Sequence, residues 1–239
     1  MREQLGIVRA LFRYPVKSMA GQKLSSALLS WHGIEGDRRF AFVREGQADG
    51  FPWLTASKVP SLILYQPYCA PAAGDTTLPT LVRTPAGEEL ELEGDTLRRE
   101  LATAYGADVR LMHLNQGTFD EAPLSLITTA TVKSIAHTTD ARRFRPNILV
   151  ETAQDAVFPE DQWVGRLVAF GEGASAPMIN VTSRDVRCGM INLDPETARV
   201  DPEVLKTAVR SNQNCAGVYA STLRRGTVSV GDGVYLVDV

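Results

Sequence analysis

The stretch Thr227-Val228-Ser229-Val230-Gly231-Asp232-Gly233-Val234-Tyr235-Leu236-Val237 decides how the chain must fold. Two apolar or alternating runs flank a Gly-Asp-Gly turn, which predicts a hairpin able to close a barrel. Upstream of it, residues 148–150, 167–170, 179–181 and 218–220 read as further strands. Toward the N-terminus, residues 6–12, 23–29, 38–43 and 62–65 are rich in Val, Ile, Leu and aromatics, with Gly or Pro near most of their ends. Residues 81–84 and 89–92 flank Pro85-Ala86-Gly87 and predict a second hairpin. A helix is expected over 96–105, capped by Asp95 and stopped by Gly106, with Leu97, Leu101 and Ala104 on one face. A second is expected over about 130–137, followed by a loop at 138–142, and residues 70–79 read as a flexible loop. The expected fold class is therefore mostly β, mixed α+β, with a seam near residue 105 that divides the chain into units 1–105 and 106–239.

Length and charge narrow the functions. A chain of 239 residues can bury a sizeable core without staples. With 25 basic and 28 acidic residues, the net charge of -3 offers no general attraction to nucleic acid or to an anionic membrane. Any anion site must be local. No apolar run approaches the ~18 residues a membrane helix needs, and the polar start, residues 1–6, does not read as a secretory signal. Three cysteines, Cys69, Cys188 and Cys215, fit a reducing compartment, so the cytoplasm is expected. They are too few for a self-contained four-cysteine iron–sulfur cluster.

Four segments place cations beside turn residues: Tyr14-Pro15-Val16-Lys17-Ser18 with Gly21, Gly36-Asp37-Arg38-Arg39-Phe40, Arg142-Arg143-Phe144-Arg145-Pro146-Asn147 and Val186-Arg187-Cys188-Gly189. Guanidinium groups pair bidentately with phosphate, so cations at strand ends of an acidic chain suggest a small polyanionic ligand. Surface cations are more often merely solvated, which is the bland alternative for any one segment. Arg187 and Gly189 give Cys188 a positive and accessible setting suited to a thiolate, whereas a lone cysteine is commonly a small buried hydrophobe. That plainer reading stays with Cys69 and Cys215. His32, His113 and His137 lack zinc-type spacing and read as structural or exposed.

Together these segments resemble the MOSC family, named after the C-terminal domain of molybdenum cofactor sulfurase, and within it the amidoxime-reducing proteins. The resemblance rests on five ordered motifs: Tyr14 to Ser18, Gly33-x-x-x-Asp37-Arg38, Arg143-Phe144-Arg145-Pro146-Asn147-Ile148, Arg187-Cys188, and the terminal Val230-Gly231-Asp232-x-Val234-Tyr235-Leu236. It implies a MOSC N-terminal β-barrel domain packed on a MOSC β-barrel domain, with molybdopterin-bound molybdenum between them. It further implies that Cys188 is the metal's protein thiolate and the catalytic residue. Lys17, Ser18, Arg38, Arg145 and Asn147 would grip the phosphate or pyranopterin, with Arg187, Tyr219 and Asp120 close by. Ser57 and Lys58 depart from the family's Thr-Ala-Arg, so one positive contact is missing or moved to Lys58.

The activity implied is two-electron oxo-transfer reduction of small N-hydroxylated or related N-oxygenated substrates. Electrons would come from a separate donor protein, a flavin or iron–sulfur reductase. A soft thiolate suits molybdenum already held by dithiolene sulfurs, so a single unpaired cysteine is expected. Trp53, Phe158 and Trp163 are candidates for shaping the substrate opening, against the commoner role of large aromatics as core. The alternatives are a cofactor carrier or sulfur-transfer protein using a Cys188 persulfide, and a metal-free β-barrel binding module.

Overall fold

One long strand organises the molecule. In the computed structural model, which describes residues 2–46, 51–70, 78–138, 140–152 and 156–237, that strand is β1 (Arg2–Arg13). Buried Gly6, Val8 and Ala10 alternate with exposed Ile7 and Arg9, the period-two pattern of a strand, while Leu11 and Phe12 beyond a register shift between Val8 and Ala10 are both buried, against different cores. There follow β2 (Gln22–Leu24), β3 (Ser26–Ser30), β4 (Gly33–Ile34), β5 (Phe40–Arg44), β6 (Gln66–Tyr68), β7 (Leu81–Arg83), β8 (Glu89–Glu91), α1 (Asp95–Tyr105) and β9 (Val109–His113). The remainder comprises β10 (Leu124–Thr128), α2 (Thr129–Ala136), β11 (Ile148–Thr152), β12 (Leu167–Phe170), β13 (Met178–Val186), α3 (Pro202–Asn212), β14 (Cys215–Arg224), β15 (Gly226–Ser229) and β16 (Gly233–Val237).

Seven of these strands form a closed barrel in the order β11-β10-β14-β13-β12-β16-β1, and β1 pairs back onto β11. All pairings are antiparallel except β10 with β11. The barrel is filled by Val8, Leu126, Ile148, Val168, Ile179 and Val218, among others. A second core packs α1 through Leu97 and Leu101 against Phe40 and Phe42 of β5, Val82 of β7 and Val109 of β9. A third lies under α2 and α3 and includes Phe12, Tyr14, Val132, Phe144 and Ala208. The expected mostly β, mixed α+β class is what the chain adopts.

Several local expectations change. The terminal runs are not partners: β15 pairs with β3, while β16 lies between β12 and β1 in the barrel. The Gly231-Asp232-Gly233 turn is held instead by β1, with Gly231 N–H donating to the Val8 carbonyl and Val8 N–H to that of Asp232 (2.8 Å each). It therefore redirects the chain from one sheet to another. Residues 23–29 likewise split, β2 pairing with β1 and β3 with β15. The expected strand at 62–65 is a 3-10 turn, Pro60–Leu64, because Pro60 lacks a donor for a sheet ladder but suits a helical start. Gly94, not Asp95, is the N-cap of α1; Asp95 bonds Arg98 Nε instead (3.1 Å), while Gly106 stops the helix at φ 86° as expected. Residues 71–77 of the expected flexible loop, and Thr139 of the loop at 138–142, lie outside the described residues; Ala141–Phe144 is a 3-10 turn. Among the described residues no helix is long and apolar enough to cross a membrane.

Candidate functional site

A cavity of about 720 Å³ opens where the barrel meets the N-terminal sheets, in the size range of small-molecule sites. Lys17, Ser18, Arg38, Asp120, Arg145, Arg187, Cys188 and Tyr219 all line it, so eight of the nine residues expected at the site meet there. Asn147 does not. It is fully buried, and its Oδ1 accepts from Ser125 N–H (3.1 Å) and more weakly from Arg38 Nη1 (3.4 Å), which makes it a support for Arg38.

The loop after β1 brings Lys17 and Ser18 in by lacing onto the start of β5: Lys17 N–H donates to the Phe40 carbonyl and Arg38 N–H to that of Tyr14. Ser18, Arg38 and Arg145 take left-handed backbone conformations, with φ of 67°, 45° and 53°. Such positions are uncommon for residues with a Cβ, and here they turn side chains into the cavity. Cys188 follows β13 and precedes the 3-10 turn Gly189–Asn192, where its thiol is exposed. Cys215 is buried and Cys69 half-buried. His113 stacks on Phe40 with centroids 4.3 Å apart, while His32 is exposed and His137 ends α2.

The four cations assigned to the ligand are unequally available. Arg38 is nearly saturated: it pairs with Asp37 Oδ2 and Asp120 Oδ2 (2.5 Å each) and donates to the Arg145 carbonyl (2.9 Å). Arg187 is also committed, to Asp185 (2.8 Å), the Phe144 carbonyl (2.8 Å) and the Ala216 carbonyl (2.7 Å from Nε). Room for it exists because residue 217 is glycine; a Cβ there would lie 3.2 Å from Arg187 Nη2 and 2.4 Å from the Leu126 carbonyl. Lys17 spends one of its three N–H groups on the Phe119 carbonyl (2.6 Å). Arg145 has five N–H groups, and among the described residues its side chain donates only to the Met19 carbonyl (2.7 Å).

Electrostatics sharpen that contrast. Burial lowers the Arg145 pKa to about 10, with Tyr14 opposing and the neighbouring Arg38 charge adding to the fall. Burial lowers Lys17 too, against the pull of Asp120. Both would be relieved by an anion in the cavity. Burial pushes the Asp120 carboxyl up, but Arg38 and Lys17 outweigh it and hold the group below its ordinary value. Asp185 goes the other way: burial raises it despite Arg187 and the hydroxyl of Ser125, which donates to its Oδ2 (3.0 Å). Tyr219, on β14, also lines the cavity, and burial first and then the Asp185 charge push its hydroxyl well above the ordinary tyrosine value.

Sequence reasoning missed Asp37, Ser125, Arg143 and Asp185. Asp37 was visible as the acid beside Arg38; Asp185 and Ser125 carry no local signal, because only their shared pairing with β14 brings β13 and β10 near one another. Phe51, Trp53 and Phe119 form an aromatic wall, with Trp53 and Phe119 edge to face at 4.7 Å. Trp53 was expected at the opening. Trp163 instead fills the barrel core and Phe158 packs against the third core. Ser57 lines the cavity, whereas Lys58 is exposed and absent from its wall.

Comparison with known proteins agrees with this architecture. Residues 106–235 match the family model described as the MOSC domain, and residues 5–125 match the MOSC N-terminal beta barrel domain. The chain is similar to mitochondrial amidoxime reducing component 2 of Macaca fascicularis, 25% identical over an alignment 292 positions long that covers 98% of this chain and 84% of that protein. Among solved structures it resembles the YuaD protein of Bacillus subtilis, with a TM-score of 0.51 at 13% identity, covering 99% of this chain and 97% of that one, a likeness of fold.

Proposed function

The chain belongs to the MOSC domain family, and from that membership and the cavity's chemistry we propose that it is a molybdenum-cofactor oxidoreductase reducing N-hydroxylated or related N-oxygenated compounds. The observation that carries the reading is an exposed thiol, Cys188, on the wall of the same cavity as the under-used donors of Arg145 and Lys17. A soft ligand and a phosphate grip are the two things a pterin-bound molybdenum requires of its protein. When bound, the cofactor supplies two-electron exchange at a soft metal.

The chain's own residues do the rest. Cys188 offers the sulfur ligand. Arg145, Lys17 and Ser18 hold the anionic end, and Arg38 and Asn147 set the position of Arg145's backbone. The aromatic wall excludes water on the side where substrate enters, and Tyr219 lines the cavity together with Asp185. The net reaction converts R–NHOH, two electrons and two protons into R–NH2 and water. The electrons come from a separate flavin or iron–sulfur donor protein, and the cytoplasm is the proposed compartment.

Protein expressed in a host that makes the cofactor should contain molybdenum near one atom per chain and reduce benzamidoxime with a reduced viologen as donor. Cys188→Ser should abolish turnover while leaving the fold intact by circular dichroism. A loaded protein inactive on every hydroxylamine and amidoxime would favour cofactor carriage or sulfur transfer through Cys188. Full activity in Cys188→Ser would remove the metal ligand from the proposal.

A further inference from the structure

Tyr14 has no role in the reading so far, and its surroundings are unusual. The ring is 1% exposed, with the Arg145 Cζ 4.3 Å from its centroid and the Arg38 Cζ 5.1 Å from it. Two guanidinium groups thus share one aromatic ring. The phenolic oxygen is buried and, among the described residues, has no hydrogen-bond partner. An unpaired buried hydroxyl is costly, so the ring rather than the oxygen explains why an aromatic is packed here. The chain also makes space for it: a Cβ on residue 21 would lie 2.3 Å from Tyr14 Cε1, and residue 21 is glycine.

The two arginines differ in what else stabilises them. Arg38 has two carboxylates, whereas Arg145, among the described residues, forms no ion pair and has one carbonyl and the Tyr14 ring against its guanidinium. A desolvated guanidinium over an aromatic face gains from the ring quadrupole. We propose that Tyr14 is a positioning residue whose π face holds the Arg145 guanidinium, beside the like-charged Arg38, aimed into the cavity for a phosphate-bearing ligand. This rests on the reading of the cavity as a cofactor site. The chain thereby keeps a half-buried cation that, among the described residues, is in no ion pair that would compete with the ligand. Burial and the Arg38 charge both make the uncharged form of Arg145 easier to reach, and the electron-rich face of the neutral ring works against them.

The test uses cofactor-free full-length protein titrated calorimetrically with inorganic phosphate, alongside molybdenum content of each variant from a cofactor-producing host. Tyr14→Phe should bind phosphate within twofold of wild type, because the hydroxyl has no partner. Tyr14→Leu should lose about tenfold in phosphate affinity, as should Arg145→Ala, and the double variant should be no worse than either, since both remove one device. Pentafluorophenylalanine at position 14 keeps the ring's shape while reversing its quadrupole, so it should match Tyr14→Leu even where the leucine variant folds poorly. Phosphate affinity unchanged with the fluorinated ring, or additive losses in the double variant, would overturn the proposal. A wild-type protein that neither binds phosphate nor retains molybdenum would overturn the cavity's reading itself, and this inference with it.

Discussion

Arg187 and Arg145 line one cavity but answer to different demands, and their variants should separate stability from binding. Arg187 neutralises Asp185, which is 1% exposed, and feeds two backbone carbonyls. Removing one partner of a buried pair leaves an uncompensated charge, typically costing about 3 to 5 kcal/mol. Arg187→Ala should therefore lower the urea unfolding free energy by that order, with or without ligand. Arg145→Ala abandons no carboxylate, so the ligand-free protein should change by less than about 1 kcal/mol, while ligand retention weakens by roughly 1.5 to 3 kcal/mol, the scale of a hydrogen bond to a charged group. Urea titrations of ligand-free protein, set beside molybdenum content after dialysis, check both. Equal destabilisation by the two variants would mean that Arg145 is structural.

At the scale of elements, α2 carries a second device. Its first turn is capped by Thr128, whose side chain accepts from Thr131 N–H, and behind it Glu160 is fully buried. Glu160 accepts from the hydroxyls of Thr128 (2.7 Å) and Thr131 (2.8 Å) and from Thr128 N–H (3.2 Å). No cation offsets it in those bonds, and burial raises its pKa above 4.5 despite the three donors. The folded state then holds its proton to higher pH than the unfolded state does. Stability from this group is present below about pH 4.5 and falls as pH rises through the folded value, the reverse of an ion-paired carboxylate. Glu160→Gln should flatten that fall, so the stability difference between wild type and variant, measured by urea unfolding at a series of pH values, should move against the wild type from pH 4.5 toward neutrality. A difference independent of pH would show that the carboxyl is not shifted. Glu160 was invisible in the sequence because its partners lie 29 to 32 residues away. The signals that were legible are local ones: Gly106 at a helix end, the Pro85-Ala86-Gly87 turn joining β7 to β8, alternation along β1. Helix α3 was overlooked although Asp201 and Pro202 mark its start and Val204 and Ala208 its buried face. The terminal hairpin failed for the opposite reason: its turn was right, but which strands it serves is decided by β1 and β3, and no local pattern encodes that. At the site, motif spacing found the cations, while their division into saturated Arg38 and Arg187 and available Arg145 depends on acids brought in by tertiary folding.

For the whole molecule, closure of the barrel is what assembles the cavity. Tyr219, Ser125 and Asp185 lie on β14, β10 and β13, Cys188 follows β13, and Lys17 follows β1, so the site is spread around one ring of strands. The ring is sealed by β1, which pairs with β16 along its first half and with β11 from Gly6 onward. Gly6 sits at the crossover, where the β16 register shifts between Gln4 and Gly6, and a Cβ there would lie 2.1 Å from the Glu151 carbonyl oxygen. Backbone oxygen cannot retreat without opening the ladder, so a side chain at position 6 must part β1 from β11. Gly6→Val should cost at least the roughly 1 to 3 kcal/mol of an overpacked site, seen as a lower melting temperature by calorimetry. It should also reduce molybdenum content, although position 6 lies outside the cavity wall. Gly173→Ala, where the added carbon meets nothing within 4 Å among the described residues, serves as the control and should leave both unchanged. A Gly6→Val protein with wild-type melting and full cofactor would show that the barrel closes without this seam, and that the cavity owes its shape to the loops alone.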